Sequence, residues 1–328
     1  MKNSFFNLKA RSKKIILIDE NENLITEQEM YKKASKISKC LNKSSVIVLI
    51  ADNCFEFIAG YVAALNHEKM VTILLDKSFS NNYMENIIKK FKPNYIFLPK
   101  NINFDNINNN LLYNFEKYKI LKLNSDFSRK INNKNFLLLS TSGTTESPKF
   151  VRLSKKNIQN NTLKIISYLK IKKSHCTITT MPAGYSYGLS IINSHLKAKA
   201  KIVLNSNSVI EKNFWKKIER FKVSSFGGVP DLYEFLKKID FKKYVSRKLK
   251  YLTQAGGKLD ESTLRYFGDI CKTHGIKFYV MYGQTEASPR ISYLDWKFFF
   301  SKINSIGKPL KGYKFKLIKK NKEIKKPN

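Results

Sequence analysis

Residues 136–149 read FLLLSTSGTTESPK, an apolar run followed directly by a turn rich in hydroxyl side chains. The run Phe136 to Ser140 has the length and composition of a buried β-strand. The segment after it supplies hydroxyl groups, a flexible glycine and a terminal cation, from Thr141, Ser142, Gly143, Thr144, Thr145 and Lys149. Such a turn is suited to wrapping a polyphosphate with backbone N–H groups, hydroxyls and a compact charge. It is not a Walker A loop, because no second Gly precedes the Lys.

A second segment, KFYVMYGQTEA at residues 277–287, repeats the arrangement of an apolar run followed by polar groups. Tyr282 offers an aromatic plane suited to a purine, Thr285 a hydroxyl suited to a phosphate, and Glu286 an oxygen ligand suited to Mg²⁺. In the structural alternative, Tyr282 is a core residue and Glu286 is a helix-start carboxylate. Both segments would lie at strand ends, where open α/β sheets bind ligands. The pair therefore indicates an ATP-using enzyme.

Apolar runs of strand length alternate with helix-period segments along the chain, which predicts a doubly wound α/β fold. The predicted strands are Val46–Ile50, Val71–Leu75, Tyr95–Leu98, Phe136–Ser140, Thr177–Met181, Lys201–Leu204, Ser225–Val229, Leu249–Gln254 and Lys277–Tyr282. Helices are predicted where Phe55, Ile58, Val62 and Leu65 share one face, and over Asn81–Phe91 and Lys155–Leu169. The Asn-rich segment 101–114 is expected to be a surface excursion. A hairpin is predicted near the end, with strands Lys314–Ile318 and Glu323–Ile324.

The composition allows a large globular protein of one or two domains, since the chain has 328 residues. Its four cysteines contain no C-x-x-C pair, which argues against a disulfide scaffold or a zinc site and fits a reducing cytoplasm. Its four histidines show no metal-ligand spacing. No apolar run approaches the roughly 18 residues that span a bilayer, and the N-terminus lacks a signal-peptide pattern. We expect a cytoplasmic protein without a membrane span.

The net charge of +36, from 61 basic and 25 acidic residues, raises the alternative of a nucleic-acid-binding protein. However, the lysines are spread through every predicted helix and loop, and no RRM, KH, zinc-finger or helix-turn-helix pattern accompanies them. An AT-rich coding sequence would produce the same enrichment in Lys, Asn and Ile. We therefore expect no nucleic-acid partner, and we expect the basic cluster from Lys311 to Lys326 to be a solvated hairpin.

The two segments resemble signature motifs of the AMP-forming adenylating enzymes, which include acyl-CoA synthetases, carrier-protein adenylation domains and luciferases. Further segments resemble other motifs of this family in the family's order, namely Leu24–Thr26, Met181–Leu189, Gln254–Leu259 and Ser305–Gly312. One such match is weak evidence, whereas an ordered series over nearly the whole chain is strong. The resemblance implies an α/β fold with two stacked α/β subdomains, followed by the start of a small β-barrel subdomain.

The resemblance also implies a domain organisation. Residues 1–312 would form the N-terminal AMP-binding domain and residues 313–328 the truncated start of the β subdomain. The family's C-terminal lid domain, with a Lys that contacts the acid and the α-phosphate, would be absent. Three explanations stay open: the chain is a fragment of a longer reading frame, a separate polypeptide supplies the C-terminal domain, or the gene product is decayed.

For the nucleotide, the resemblance implies ATP and Mg²⁺ as cofactors. Lys149, Thr285 and Glu286 would be the catalytic residues, and Glu286 would be the magnesium ligand. The cofactor site would comprise Thr141, Ser142, Gly143, Thr144, Thr145, Lys149, Gly256, Gly257, Tyr282, Gly283 and Thr285. Glu146 and Phe150 replace glycines of the family pattern. The Glu146 carboxylate would oppose binding of a triphosphate unless it points to solvent.

For the acid substrate, the resemblance is less specific. Tyr185 stands where acyl-CoA synthetases often carry His and amino-acid-activating domains often carry Asp, so no carboxylate there can pair with a substrate ammonium. This favours an uncharged acyl chain or an aryl acid. The segment Gly227–Asp231 resembles one that lines the acyl pocket. Phe226, Gly227 and Tyr233 are therefore candidate substrate-binding residues together with Tyr185.

The implied reaction joins ATP and a small carboxylic acid into an acyl-adenylate, with release of pyrophosphate. A thiol then takes the acyl group, and this thiol belongs to coenzyme A or to the phosphopantetheine of an acyl carrier protein. The alternative is a truncated, non-catalytic nucleotide-binding remnant or interaction module derived from such an enzyme.

Overall fold

The computed structural model describes residues 5–42, 44–67, 69–104, 109–123, 136–140, 149–319 and 322–324. Two large β-sheets, one of nine strands and one of seven, carry helices between their strands. The predicted α/β class is confirmed. The hydroxyl-rich segment 141–148 lies outside the described residues.

The strands of the described residues, in chain order, are β1 (Ile15–Ile18), β2 (Leu24–Thr26), β3 (Ser44–Ala51), β4 (Lys69–Asp76), β5 (Tyr95–Pro99), β6 (Asn109–Asn114), β7 (Tyr118–Leu123), β8 (Phe136–Ser140), β9 (Phe150–Ser154), β10 (Cys176–Ile178), β11 (Lys201–Val203), β12 (Ser225–Gly228), β13 (Tyr251–Gln254), β14 (Lys277–Gly283), β15 (Arg290–Leu294), β16 (Lys308–Pro309), β17 (Leu317–Lys319) and β18 (Lys322–Ile324). Every strand predicted from the apolar runs is present, with ends shifted by at most a few residues. The last part of the predicted surface excursion 101–114 is exposed, but it forms a strand that the sequence did not predict, because β6 pairs antiparallel with β7 at the sheet edge.

The helices of the described residues are α1 (Glu27–Lys39), α2 (Phe55–Asn66), α3 (Asn81–Phe91), α4 (Lys155–Leu169), α5 (Ser186–Ala198), α6 (Lys212–Arg220), α7 (Pro230–Lys238) and α8 (Glu261–Thr273). Their starts follow local chemistry. Thr26 and Glu29 form a capping box at α1, and Ser80 caps α3 by accepting from the N–H of Tyr83. The helices predicted over Asn81–Phe91 and Lys155–Leu169 are confirmed.

The seven-stranded sheet has the order β6-β7-β5-β3-β4-β8-β9. Its central strands β5, β3, β4 and β8 run parallel, so their carboxyl ends share one edge. Strand β9 returns antiparallel to β8, with Ser140 opposite Phe150. Ser140 and Phe150, which flank the segment 141–148 in the sequence, are therefore paired at this edge.

The nine-stranded sheet has the order β16-β15-β14-β13-β12-β10-β11-β1-β2. Strands β10 to β14 are parallel to their neighbours, and β15 returns antiparallel to β14. A continuous buried cluster joins this sheet to the seven-stranded one, with members such as Leu49, Phe57, Leu139, Ile192 and Ile202. The two sheets thus share a core, which keeps their strand ends close to each other.

The remaining strands, β17 and β18, pair as an antiparallel hairpin, as the sequence predicts. Among the residues that the structure describes, no helix combines the length and the apolar composition needed to cross a bilayer.

Candidate nucleotide site

The second motif forms the connection between β14 and β15. Strand β14 ends at Gly283, a 3-10 turn follows over Thr285–Ala287, and β15 begins at Arg290 opposite Gly283. A Cβ atom on Gly283 would lie 2.2 Å from the carbonyl oxygen of Pro289, so only glycine fits this close return. The fold therefore presents Thr285 and Glu286 at the carboxyl edge of the parallel strands.

This connection borders a cleft of about 250 Å³. Its walls come from three motifs that are distant in the sequence, and they include Tyr185, Ser186, Gly256, Gly283, Thr285 and Glu286. The hydroxyl of Thr285 donates to the Oγ atom of Ser186 over 3.2 Å, which links the second motif to the central aromatic motif. The structure thus brings together Tyr185, Gly256, Gly283, Thr285 and Glu286 of the predicted site.

Tyr185 lies in this same cleft. It occupies the cap position before α5 and is 38% exposed. A Cβ atom on Gly256 would lie 2.9 Å from the Tyr185 hydroxyl, and Gly256 has a φ of +88°. The side chain that the sequence assigns to the acid substrate therefore adjoins the glycine that it assigns to the nucleotide.

Glu286 is the predicted magnesium ligand. Its side chain is exposed, and it forms no hydrogen bond or ion pair with the described residues that would compete for its oxygen atoms. No group of three or more His, Cys, Asp or Glu among the described residues could hold a metal ion. Mg²⁺ commonly uses one or two carboxylates together with water and substrate phosphates. A single carboxylate fits this mode, so the remaining ligands would come from a nucleotide.

Strand β9, which follows the hydroxyl-rich segment in the sequence, contacts the second motif. Residues Thr141, Ser142, Gly143, Thr144 and Thr145 lie outside the described residues, as does Glu146. Lys149 is described and exposed. Strand β9, which begins at Phe150, lies beside the turn Thr285–Ala287. Strand β9 is thus adjacent to the turn that carries Thr285 and Glu286.

Tyr282 and Gly257 flank the cleft. Tyr282 is 41% exposed, so the alternative that makes it a core residue is wrong. Gly257 is exposed, and its carbonyl oxygen accepts a hydrogen bond from the side-chain amide of Gln254 over 2.9 Å. Both residues adjoin lining residues of the cleft, and their roles toward adenine stay predictions.

The candidate acid-binding residues divide into two groups. Phe226 and Gly227 line a small internal cavity of about 20 Å³ between α4, α5 and the nine-stranded sheet. Tyr233 lines neither this cavity nor the cleft, and its assignment as a substrate wall stays a prediction. It is fully buried, its ring packs edge-on against Phe267 at 4.9 Å, and its hydroxyl donates to the carbonyl oxygen of Thr253. Tyr233 is a core residue because α7 packs its face against α8.

Two residues of this region were missed by the sequence analysis. Tyr187 and Arg290 line both the cleft and the internal cavity, and the guanidinium of Arg290 lies 4.7 Å from the centre of the Tyr187 ring. Tyr187 belongs to the central aromatic motif, which was its only sequence signal. Arg290 follows the second motif in a strand, where nothing in the local pattern indicates burial.

A larger cavity of about 660 Å³ lies between the two sheets. The ends of β3, β4 and β10 line it with charged and polar side chains such as Asp52, Asp76 and Thr180. It contains none of the predicted site residues. Size alone therefore does not identify the site, and the convergence of motifs at the smaller cleft is the stronger indication.

Known proteins share sequence similarity with this chain over most of its length. A family model described as AMP-binding enzyme matches residues 6–328. The 2-succinylbenzoate–CoA ligase of Bacillus cytotoxicus is 24% identical over 314 residues, which cover 90% of this chain and 61% of the ligase. The ligase of the same name from Bacillus mycoides is 27% identical over 175 residues, which cover 53% of this chain and 35% of the ligase. The chain thus spans only part of the length of these relatives.

Solved structures show the same fold. The o-succinylbenzoate CoA synthetase of Bacillus subtilis in complex with AMP has a TM-score of 0.77 at 18% identity, over 98% of this chain and 67% of that one. VinN has a TM-score of 0.74 at 18% identity, over 94% of this chain and 80% of that one.

Proposed function

Because the chain belongs to the AMP-binding enzyme family, we propose that it carries the nucleotide-binding site of an AMP-forming acid ligase. The reaction is activation of a carboxylic acid by ATP, which gives an acyl-adenylate and pyrophosphate. The observation that supports this proposal is the cleft in which four residues from distant motifs converge, namely Tyr185, Gly256, Thr285 and Glu286. Residues 1–312 constitute the AMP-binding domain in this proposal.

In this mechanism the substrate carboxylate attacks the α-phosphorus of ATP, and the diphosphate leaves with its bonding electron pair. No protein nucleophile is required, so the chain contributes positioning and charge stabilisation. The Thr285 hydroxyl donates to a phosphate oxygen, and Lys149 supplies a cation beside the phosphates. Glu286 would hold Mg²⁺, which would neutralise phosphate charge when bound.

The base and ribose of the nucleotide lie along the exposed side of the cleft. Tyr282 provides an aromatic face there, and the backbone at Gly256 and Gly257 provides the opposite wall. Stacking of a base on an aromatic side chain contributes about 1–3 kcal/mol in nucleic-acid complexes, which sets the scale for this contact.

The acceptor of the acyl group is a thiol, either of coenzyme A or of a phosphopantetheine carrier protein. The two Bacillus relatives described above are CoA ligases. We favour coenzyme A on this ground. The relatives are longer than the portion that matches this chain. We expect a domain that corresponds to the unmatched portion to be needed for full activity, whether it is joined to this chain or supplied separately.

The test is isothermal calorimetry on the folded 328-residue chain with ATP and Mg²⁺, and with a non-hydrolysable acyl-adenylate analogue. We expect both to bind, the analogue more tightly, because it joins two ligands and so reduces the entropy lost on binding. Absence of heat for both, with circular dichroism showing a folded chain, would refute the proposal.

A second measurement concerns catalysis. We expect acid-dependent pyrophosphate release to be slow with this chain alone. The rate should rise by about a hundredfold when a separately expressed C-terminal domain is added, because removing one electrostatic stabiliser of a transition state typically costs about that factor. Nucleotide binding without pyrophosphate release under either condition would instead identify a non-catalytic nucleotide-binding module.

A further inference from the structure

Three aromatic side chains are exposed together just after β15. They belong to two short 3-10 turns, Trp296–Phe298 and Phe300–Lys302. Trp296 is 39% exposed, Phe298 54% and Phe300 40%. Large apolar side chains that are exposed as a group, rather than singly, mark contacts with other molecules. We call these three residues the aromatic patch.

The residue in the middle of this segment anchors it to the core. Phe299 is 2% exposed, and its ring centre lies 5.4 Å from that of Phe278. A Cβ atom on Gly268 would lie 2.4 Å from the Phe299 ring, so the ring packs directly against the backbone of α8. Phe298 and Phe300, on either side of this anchor, are thereby kept at the surface.

Lysines surround the aromatic patch. The ammonium group of Lys277 lies 5.6 Å from the centre of the Trp296 ring, and that of Lys272 lies 5.5 Å from the centre of the Phe300 ring. Two further lysines of the same turns are exposed, namely Lys297 and Lys302. The patch therefore combines apolar rings and ammonium groups on one surface.

Basic side chains outnumber carboxylates on α8, on β14 and over residues 295–302. Asp295 accepts a hydrogen bond from the backbone N–H of Lys297 over 3.1 Å, and Glu261 pairs with Arg265 at 2.6 Å. The remaining carboxylate of these elements, Asp269, is exposed. The surface around the patch is thus net basic, like the chain as a whole, whose net charge is +36.

A membrane surface with anionic lipids offers matching groups. Its phosphate groups attract ammonium groups, and aromatic rings insert at the boundary of the acyl region just below them. Lysine side chains are long enough to keep their charge at the level of the head groups. A single-stranded nucleic acid fits less well, because its bases stack on free ring faces. Lys277 and Lys272 lie over two of the three rings.

The aromatic patch lies at the opposite end of β14 from the nucleotide cleft. Lys277, beside Trp296, begins this strand, whereas Gly283, in the cleft wall, ends it. Six residue steps along a strand span about 20 Å. Contact of the patch with a membrane would therefore leave the cleft open to a nucleotide.

We propose that the aromatic patch and its four lysines bind the surface of a membrane that contains anionic lipids. The three rings enter the boundary of the acyl region, and the ammonium groups lie among the phosphates. This contact is peripheral and involves no spanning helix. It goes beyond the proposed function and does not depend on it.

The first test is co-sedimentation of the full chain with vesicles of phosphatidylcholine alone and with vesicles of equal parts phosphatidylcholine and phosphatidylserine. We expect binding to the mixed vesicles to be tighter by about tenfold or more, and to weaken as salt is added, because salt screens exposed charges. The Trp215→Phe variant leaves Trp296 as the single tryptophan. Its fluorescence should shift to shorter wavelength on the mixed vesicles, since the indole enters a less polar region.

Substitutions in the patch locate the contact. Phe298→Ser should weaken binding to the mixed vesicles by about tenfold, because an apolar ring no longer leaves water. The double variant Lys297→Glu, Lys302→Glu should weaken it by about a hundredfold, because two cations become anions. The matched controls are Phe315→Ser, at a side chain that is 46% exposed in the terminal hairpin, and Lys89→Glu, Lys90→Glu on α3. Each control should change binding by no more than about threefold. Circular dichroism verifies that every variant is folded.

Several results would overturn the proposal. Equal binding to both kinds of vesicle, or binding to neither, would exclude an anionic lipid surface. Equal weakening by the patch variants and their controls would show that only the net charge of the chain attracts it. Unchanged Trp296 fluorescence on bound vesicles would show that the rings stay in water.

Two further measurements identify another occupant of the patch. A dimer in sedimentation velocity that Phe298→Ser dissociates, without vesicle binding, would make the patch an interface between two copies of the chain. Binding of a uridine oligonucleotide that the lysine variant abolishes, again without vesicle binding, would make it a nucleic-acid site. Either result would replace the membrane proposal.

Discussion

Asn161 and Arg290 exchange hydrogen bonds in the core, although 129 positions separate them. The Asn161 amide donates to the carbonyl oxygen of Arg290 over 2.8 Å, and the Arg290 N–H donates to Asn161 Oδ1 over 3.3 Å. The same amide also donates to the carbonyl oxygen of Ala287. Helix α4 thus fixes the backbone immediately after Thr285 and Glu286.

Replacement of Asn161 by Leu should destabilise the protein. Asn161 is fully buried, and Leu would leave two carbonyl groups and one N–H without their partner. We expect a loss of about 2–4 kcal/mol in the free energy of unfolding, measured by urea denaturation. Asn160→Leu, at the exposed neighbouring position of α4, is the control and should change stability by no more than about 0.5 kcal/mol. Similar values for both variants would show that this contact contributes little.

Substitution of two tyrosines distinguishes a residue of the hydrophobic core from a residue of the candidate nucleotide site. Tyr233→Ala should lower the free energy of unfolding by about 3–5 kcal/mol, because a fully buried ring is removed. Tyr282→Ala should leave stability nearly unchanged, since its side chain is 41% exposed, and should weaken ATP binding by about tenfold or more. Denaturation and calorimetry on both variants check the two outcomes. Unchanged ATP affinity in Tyr282→Ala would remove its assignment to the adenine.

The phosphate chemistry can be separated from folding by two further substitutions. Glu286→Gln removes the proposed magnesium charge, and Lys149→Ala removes the proposed phosphate cation. Both side chains are exposed, so each variant should stay within about 1 kcal/mol of the parent in the free energy of unfolding. Glu286→Gln should abolish the magnesium dependence of ATP binding, measured by titration with and without Mg²⁺. If either variant unfolds, that residue is structural and its assigned role is wrong.

The stability of the protein should fall in mild acid because of its buried histidines. Burial lowers the pKa of His195 to about 4, whereas an ordinary His has a value of 6.5. Between these values the unfolded chain binds a proton that the folded chain does not, so the free energy of unfolding decreases as pH falls through this window. The contribution of His195 is about 3 kcal/mol when pH has fallen from 7 to 4.

Urea denaturation at several pH values, for the parent and for His195→Gln, measures this effect. Between pH 6.5 and 4, the free energy of unfolding of the variant should depend less steeply on pH than that of the parent. Part of the pH dependence should remain, because burial also lowers the pKa of His175 to about 4. The control His274→Gln, at an exposed position, should keep the parent slope. An unchanged slope in His195→Gln would show that this imidazole accepts a proton in the folded state.

The sequence by itself predicted the elements whose chemistry is local. Helix α3 begins and ends as predicted, because Ser80 caps its first turn and Lys92 ends it in a left-handed conformation. Strands β8 and β14 were recognised from short apolar runs bounded by polar turns. The position of Thr285 and Glu286 at a strand end followed from the same pattern.

Only the tertiary structure decided which side chains those elements bury. Tyr233 lies in α7 just after strand β12, and Tyr282 lies at the end of strand β14, yet Tyr233 is fully buried and Tyr282 is exposed beside the cleft. Arg290 is buried because Asn161, from a helix far earlier in the chain, holds its backbone against the sheet. Strand and helix preferences act between near neighbours, whereas burial and the pairing of charge depend on contacts between distant segments. Local sequence therefore located the motifs, and long-range packing determined that Tyr185, Gly256, Thr285 and Glu286 share one cleft.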